Sequence, residues 1–256
     1  MNNVALKECP IIEAVFEIKF KSINNYTNIE KIKFLSELML LLDIKDVKPF
    51  PTDGTNLPIN LINNKEFEYI YYYEFEFSNY ILKIGHSCLL ISIKSNSELN
   101  ENSENNKYPG WNIFENIIIK TIEKILDKII FERITLRYIN FFKEFNIFEE
   151  LNLSISNNIK DNLLNNFFSD LSKLTIKKKI DIPKDNYLIE NHIHISNDTL
   201  VNNKYTGSII DINSNINLKQ QMSIDSLKKI IVLIHTCEKD IFNNILTEKF
   251  YNKLKG

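Results

Sequence analysis

The residues most able to do chemistry in this chain are few. Arg133 and Arg137, in the stretch FERITLRYINFF, are its two arginines, although Lys and Arg together number 31. A guanidinium offers planar, paired N–H donors to a carboxylate or phosphate, which a lysine ammonium does not. Alternation along a strand would project both from one face, about 13–14 Å apart at the usual rise. Glu13 and Glu17, in IIEAVFEIKF, have the same four-residue spacing. Antiparallel pairing of the two stretches would set Glu13 against Arg137 and Glu17 against Arg133. The alternative is that the arginine face stays open and binds an anion or an acidic partner.

Other constellations are thinner. Glu190, His192 and His194 follow a Glu-x-His-x-His pattern that puts all three on one strand face. Two histidines two apart can hold a metal, but a site needs a third ligand, so a polar ladder is the simpler reading. His86-Ser87-Cys88 places a thiol near an imidazole at an expected turn, where closeness in sequence argues little for contact. His235 lies mid-helix with Thr236 and Glu238 near it and reads as a packed histidine, with a general base as the alternative. Lys173 and Lys177–Lys179 form the densest basic run, a solvated strand face or an RNA-binding sheet edge. No phosphate-loop, dinucleotide, zinc-protease or nucleophile-elbow motif occurs. No catalytic residue and no cofactor is assigned on these grounds.

The elements that must position these residues follow from hydropathy. Residues 11–20 alternate as a half-buried strand. Thr27 and Glu30 have capping-box spacing, and Ile29, Ile32, Leu35, Leu38, Met39 and Leu42 make a helical stripe. The stretches 67–77, 80–86 and 88–94 read as a three-stranded meander, and 111–129 as a long helix entered through Tyr108-Pro109-Gly110. After the 131–142 strand come a helix near 156–171, strands at 174–182, 187–196 and 207–216, and a helix from about 223 to 254. The order strand, helix, meander, helix thus occurs twice. It predicts a two-layer α+β fold built as a tandem pseudo-repeat, ferredoxin-like or TATA-binding-protein-like, with halves 1–130 and 131–256 packed as one unit.

The 256 residues carry a formal net charge of −2 and 44% hydrophobic residues. A dedicated nucleic-acid binder usually shows a basic excess, which is absent here. Glu66, Glu68, Glu74 and Glu76 lie among aromatic residues and would repel a phosphate backbone. No signal-type leader or run of apolar residues long enough to span a membrane is evident, and Cys9, Cys88 and Cys237 are odd in number and far apart. A cytoplasmic protein with free thiols is expected.

The chain resembles a sporadically distributed family of prokaryotic proteins of about 250 residues without an established function. The resemblance rests on Pro10, Ile11, Glu13, Ala14, Val15, Glu17, Ile18, Lys19 and Phe20; on Tyr108, Gly110, Trp111 and Phe114; on Arg133, Arg137, Tyr138, Ile139 and Asn140; and on His235, Phe242, Leu246 and Thr247. It implies an intact family member and brings no catalytic residues. The family's scattered distribution hints at a mobile, defence-type locus. A non-enzymatic binding or regulatory protein with a protein partner is therefore expected, its candidate binding residues being Glu13, Glu17, Arg133, Arg137, Tyr138 and Asn140. The alternative is a nucleic-acid- or nucleotide-binding protein using Arg133, Arg137 and the 173–179 run.

Overall fold

The computed structural model describes residues 9–24, 27–44, 50–52, 68–94, 108–152, 172–183, 187–201 and 205–255. In chain order the strands are β1 (Ile11–Ser22), β2 (Phe50–Pro51), β3 (Tyr73–Glu76), β4 (Ile81–Ile84), β5 (Cys88–Lys94), β6 (Ile129–Lys143), β7 (Lys173–Ile182), β8 (Tyr187–Val201) and β9 (Tyr205–Gln220). They form one sheet in the order β2-β3-β4-β5-β1-β6-β9-β8-β7. Every neighbouring pair is antiparallel. The helices are α1 (Asn28–Leu41), α2 (Trp111–Glu123), α3 (Ile224–Ile245) and α4 (Glu248–Lys255).

This arrangement corrects the expected fold. The described chain is mostly a single nine-stranded antiparallel sheet carrying four helices. It is not a two-layer α+β tandem of ferredoxin-like or TATA-binding-protein-like strand–helix repeats. The two flanks of the sheet are unequal: β3 and β4 have 4 residues each, whereas β8 and β9 have 15 and 16. Alternation marks where strands lie, but ladder length depends on partners distant in sequence, so a repeated order of elements did not amount to a repeated unit. Of the stretch 67–77 expected to be a strand, the described residues from 68 onward form one over Tyr73–Glu76. The helix expected near 156–171 lies outside the described residues.

One face of the sheet carries the core. From β1 it takes Ala14, Phe16, Ile18 and Phe20; from β6, Ile134, Leu136 and Tyr138. Against these pack Phe114, Ile118 and Ile122 of α2 and Leu227, Ile230, Ile231 and Ile234 of α3. The periodicity of three and four in both helices produces that stripe. Helix α1 buries Phe34, Leu35, Leu38 and Leu42, while Ile29 and Ile32, expected on its apolar stripe, are exposed. Its N-terminus is the expected capping box: Glu30 accepts the Thr27 backbone N–H at 2.7 Å.

The C-terminal helix is broken where continuity was expected. Leu246 is extended and bridges Leu151. Thr247 then restarts the helix, its hydroxyl accepting the Phe250 N–H and donating to Glu150. Among the described residues no helix is long and apolar enough to cross a membrane.

Candidate functional site

Strand alternation splits the candidate residues between the two faces of the sheet. Glu13, Glu17, Arg133 and Arg137 project from the face opposite the helices, whereas Tyr138 and Asn140 are buried on the helix side. The expected cluster of six is therefore two sites. Unbroken alternation back from Arg133 would put Phe131 on the same open face. A register shift between Phe131 and Arg133 in β6 turns it into the core instead.

On the open face, aligned registers lay polar side chains in rows across the sheet. One row runs Lys177, His192, Asn213, Arg137, Val15, Ser92; the next runs Lys179, Glu190, Asn215, Thr135, Glu17, Leu90, Lys83, Glu74. Acids and bases meet within or between rows. Lys179 pairs with Glu190 at 2.8 Å and Lys83 with Glu74 at 2.6 Å. Among the described residues no helix contributes to this face's surroundings as α2 and α3 do to the other.

The two arginines sit at its centre, each in an ion pair. Arg133 donates to Glu17 Oε1 at 3.0 Å, as expected from the sequence. Arg137 does not meet Glu13. It makes a two-pronged bond to Asp211 of β9, Nε to Oδ1 at 2.8 Å and the terminal nitrogen to Oδ2 at 2.7 Å. The register explains this: Val15, not Glu13, stands opposite Arg137, while Asp211 lies diagonally across from it. Glu13 instead accepts from Ser92 at 2.7 Å. The bond to Asp211 raises the Arg137 pKa above its already high ordinary value.

Two tyrosines from the segment before β3 close one side. Tyr71 donates to the second oxygen of Glu17 at 2.8 Å and Tyr69 to Glu132 at 2.6 Å, with the Lys19 ammonium 4.2 Å from the Tyr69 ring. Burial, then the neighbouring carboxylates, pushes both phenols up. Arg133 Nε and Thr135 Oγ1 are buried here without a hydrogen-bond partner among the described residues.

The histidine pattern of β8 is spread along the same face. Glu190 is taken by Lys179, and His194 Nδ1 meets the Thr175 hydroxyl at 3.2 Å. Among the described residues no three His, Cys, Asp or Glu side chains are grouped to hold a metal ion. Cys88 is buried with its thiol directed at the Ile70 carbonyl, and burial pushes its pKa up, the reverse of what an attacking thiolate needs.

The helix side brings together residues that the sequence reading named only separately. Tyr138 of β6, Tyr108 ahead of α2, and His235 and Glu238 of α3 converge behind the sheet. The two hydroxyls lie 3.5 Å apart, and the Tyr138 hydroxyl lies 3.2 Å from His235 Nδ1. Trp111 stacks on the His235 ring, centroids 3.9 Å apart and planes 3° apart. Burial, with Lys239 adding to it, drops the His235 pKa to about 4 and keeps the ring neutral. Glu238 is 1% exposed, and burial holds its carboxyl well above the usual range. The signal for this cluster was in the sequence: Glu238 falls on the buried stripe of α3, an odd place for a carboxyl group.

No family model matches the chain, and no curated protein matches it. Among solved structures it is similar to the rolling circle replication initiator protein from Geobacillus stearothermophilus. Identity is 9% and the TM-score 0.24, over 90% of this chain and 79% of that one.

Proposed function

We propose that this protein works by binding rather than catalysis, and that the open polar face of its sheet docks a protein partner. The observation that carries the reading is the self-paired charge at the face's centre. Arg133 and Arg137 are held rigid by Glu17 and Asp211, with Lys179–Glu190 and Lys83–Glu74 to either side. Nucleic-acid affinity comes from cations that exchange counterions for phosphates, and cations already committed to carboxylates are poor at this. A protein surface of mixed charge instead meets donors and acceptors fixed on neighbouring strands. Arginine and tyrosine are the residues that most often dominate such interfaces, and Tyr69 and Tyr71 flank the arginines. In the cell the protein would act as a partner or regulatory subunit.

Affinity capture from the native host, with wild type beside an Arg133→Ala, Arg137→Ala double variant of confirmed fold, tests this. A protein that co-purifies at fixed stoichiometry with wild type, rebinds when purified, and is lost with the double variant is the expected result. Nuclease-sensitive RNA or DNA lost with the same variant would overturn it and favour a phosphate-binding face.

A further inference from the structure

The two outer edges of the sheet differ. β2 has only Phe50 and Pro51, and a proline cannot donate to a further strand. β7 has 10 residues and no proline, and it pairs with β8 without a register shift from Lys173 to Ile182. Among the described residues nothing pairs with its other side. Every second residue of an antiparallel edge strand turns both its N–H and its C=O away from its neighbour. β7 therefore carries a row of backbone groups ready to bond another strand.

Charge guards this edge, and the guard is mostly of one sign. Lys173, Lys177 and Lys179 stand on the polar side of β7, with Asp181 the acid among them, and Lys178 lies on the helix side. Lys179 has an acid across the sheet, Glu190 at 2.8 Å. The β8 residues opposite Lys173, Lys177 and Lys178 are Ser196, His192 and Asn191, none of them an acid. On the helix side Ile176, Ile180 and Ile182 are only half-buried. With Ile189 of β8 and Leu233 and Ile241 of α3 they line a groove of about 370 Å³. We propose that the edge of β7 takes up an extended segment of a protein partner as an added strand, with acidic side chains on one side and apolar side chains on the other.

The backbone ladder selects an extended polypeptide. Its acids stand about 5 Å from Lys173 and Lys177. Its apolar side chains, on the opposite side, lie against Ile176 and Ile180 beside the groove. A second copy of this chain fits less well. Residues facing one another across antiparallel strands point the same way, so in a twofold pairing of β7 with itself their numbers sum to an even value. The two registers of greatest overlap then set Lys177 against its own copy or against Lys179, and like charges so placed repel. RNA also fits less well, because Lys173–Ile182 has no aromatic residue to stack on a base. β9 and β8 separate this edge from the central arginines, so it binds whether or not the polar face docks a partner.

The probe is a fluorescent, end-blocked peptide of alternating Glu and Val, of the same length as β7, followed by anisotropy. Beside it stand the same peptide with Lys for Glu, two forms N-methylated on alternate sets of amides, and polyuridylate RNA. The acidic peptide should bind one-to-one and the basic peptide should not. The methylated form whose methyl groups face β7 should bind about tenfold or more weakly, while the other form keeps its affinity. The double variant Lys173→Glu, Lys177→Glu should turn the preference toward the basic peptide. Lys228→Glu, Lys229→Glu, the same charge change at exposed positions of α3, should leave it as in wild type. Both variants are first checked for a cooperative unfolding transition. Failure of the acidic peptide to bind wild type at millimolar concentration overturns the proposal, as do equal affinities of the two methylated forms or an equal effect of the α3 variant. Tighter binding of RNA than of the acidic peptide would also overturn it, and so would sedimentation showing a dimer that the acidic peptide leaves intact.

Discussion

Replacing Arg137 with lysine removes one prong of a two-pronged bond and leaves the charge in place. Hydrogen bonds between charged groups contribute about 1.5–3 kcal/mol when shielded from solvent. The Arg137 side chain is 40% exposed and that of Asp211 17%, so solvent screening cuts this toward the surface range. A coupling of roughly 1 kcal/mol between the two side chains is expected, above the few tenths typical of exposed pairs. The assay is urea unfolding of wild type, Arg137→Lys, Asp211→Asn and the double variant, followed by circular dichroism. Arg133 and Glu17 share a single direct bond at 3.0 Å, so the matching cycle there should give about half as much. The sharpest contrast is with Glu13, which the register turns toward Ser92. A cycle between Arg137 and Glu13 should show only the weak long-range attraction between them. If that coupling exceeded the one with Asp211, the strand register described above would be wrong.

Glu238 makes stability fall as pH rises. Its folded pKa is raised, so folding takes up a proton between the unfolded value near 4.5 and the higher folded value. The stabilisation is complete below 4.5 and lost through the folded pKa. Glu238→Gln should flatten this slope and be more stable than wild type on the alkaline side, as thermal melts across pH will show. His86 and His235 act in the opposite sense, because burial lowers both to about 4 from the ordinary 6.5. Their contribution is complete above 6.5 and lost as pH falls toward 4. It amounts to on the order of 3 kcal/mol each as an upper limit. His235→Phe, which can keep a ring against Trp111, should reduce the acid sensitivity measured by fluorescence. Gly85→Ala should destabilise by about 2 kcal/mol or more, because a Cβ there would overlap the Ile70 carbonyl oxygen and crowd Cys88 Sγ. A variant melting within a degree or two of wild type would contradict that packing.

Strand positions were legible wherever one face is buried and the other wet. The alternation from Glu13 to Phe20 and from Arg133 to Asn140 assigns each side chain to its observed face, whereas a register shift between Ile11 and Glu13 turns Ile11, not Ile12, toward the core. Alternation failed at Phe131 because a bulge inserts one residue, and bulges leave no mark in hydropathy. Antiparallel pairing of the two central strands followed from the spacing, but the register is two residues away from the expected one: Lys19 stands opposite Arg133, and Glu17 reaches that arginine diagonally. The Arg137–Asp211 pair did not follow from spacing, since it depends on which strand lies beyond β6, a contact across 74 residues. The family resemblance grouped Arg137, Tyr138 and Asn140 as one motif, whereas neighbours along a strand point to opposite faces and serve different sites. The overall architecture was misjudged for a related reason. Element order was readable, but strand lengths and the dominance of a single sheet are set by long-range pairing.

The measurement that bears most directly on the proposed function is site-specific photocrosslinking in the native host. A photoreactive residue placed at Asn213, beside Arg137 on the open face, should capture a defined protein. The same residue at Lys228, an exposed position on α3, should not. Capture from Lys228 alone, or of nucleic acid from Asn213, would contradict a protein-docking role for the polar face.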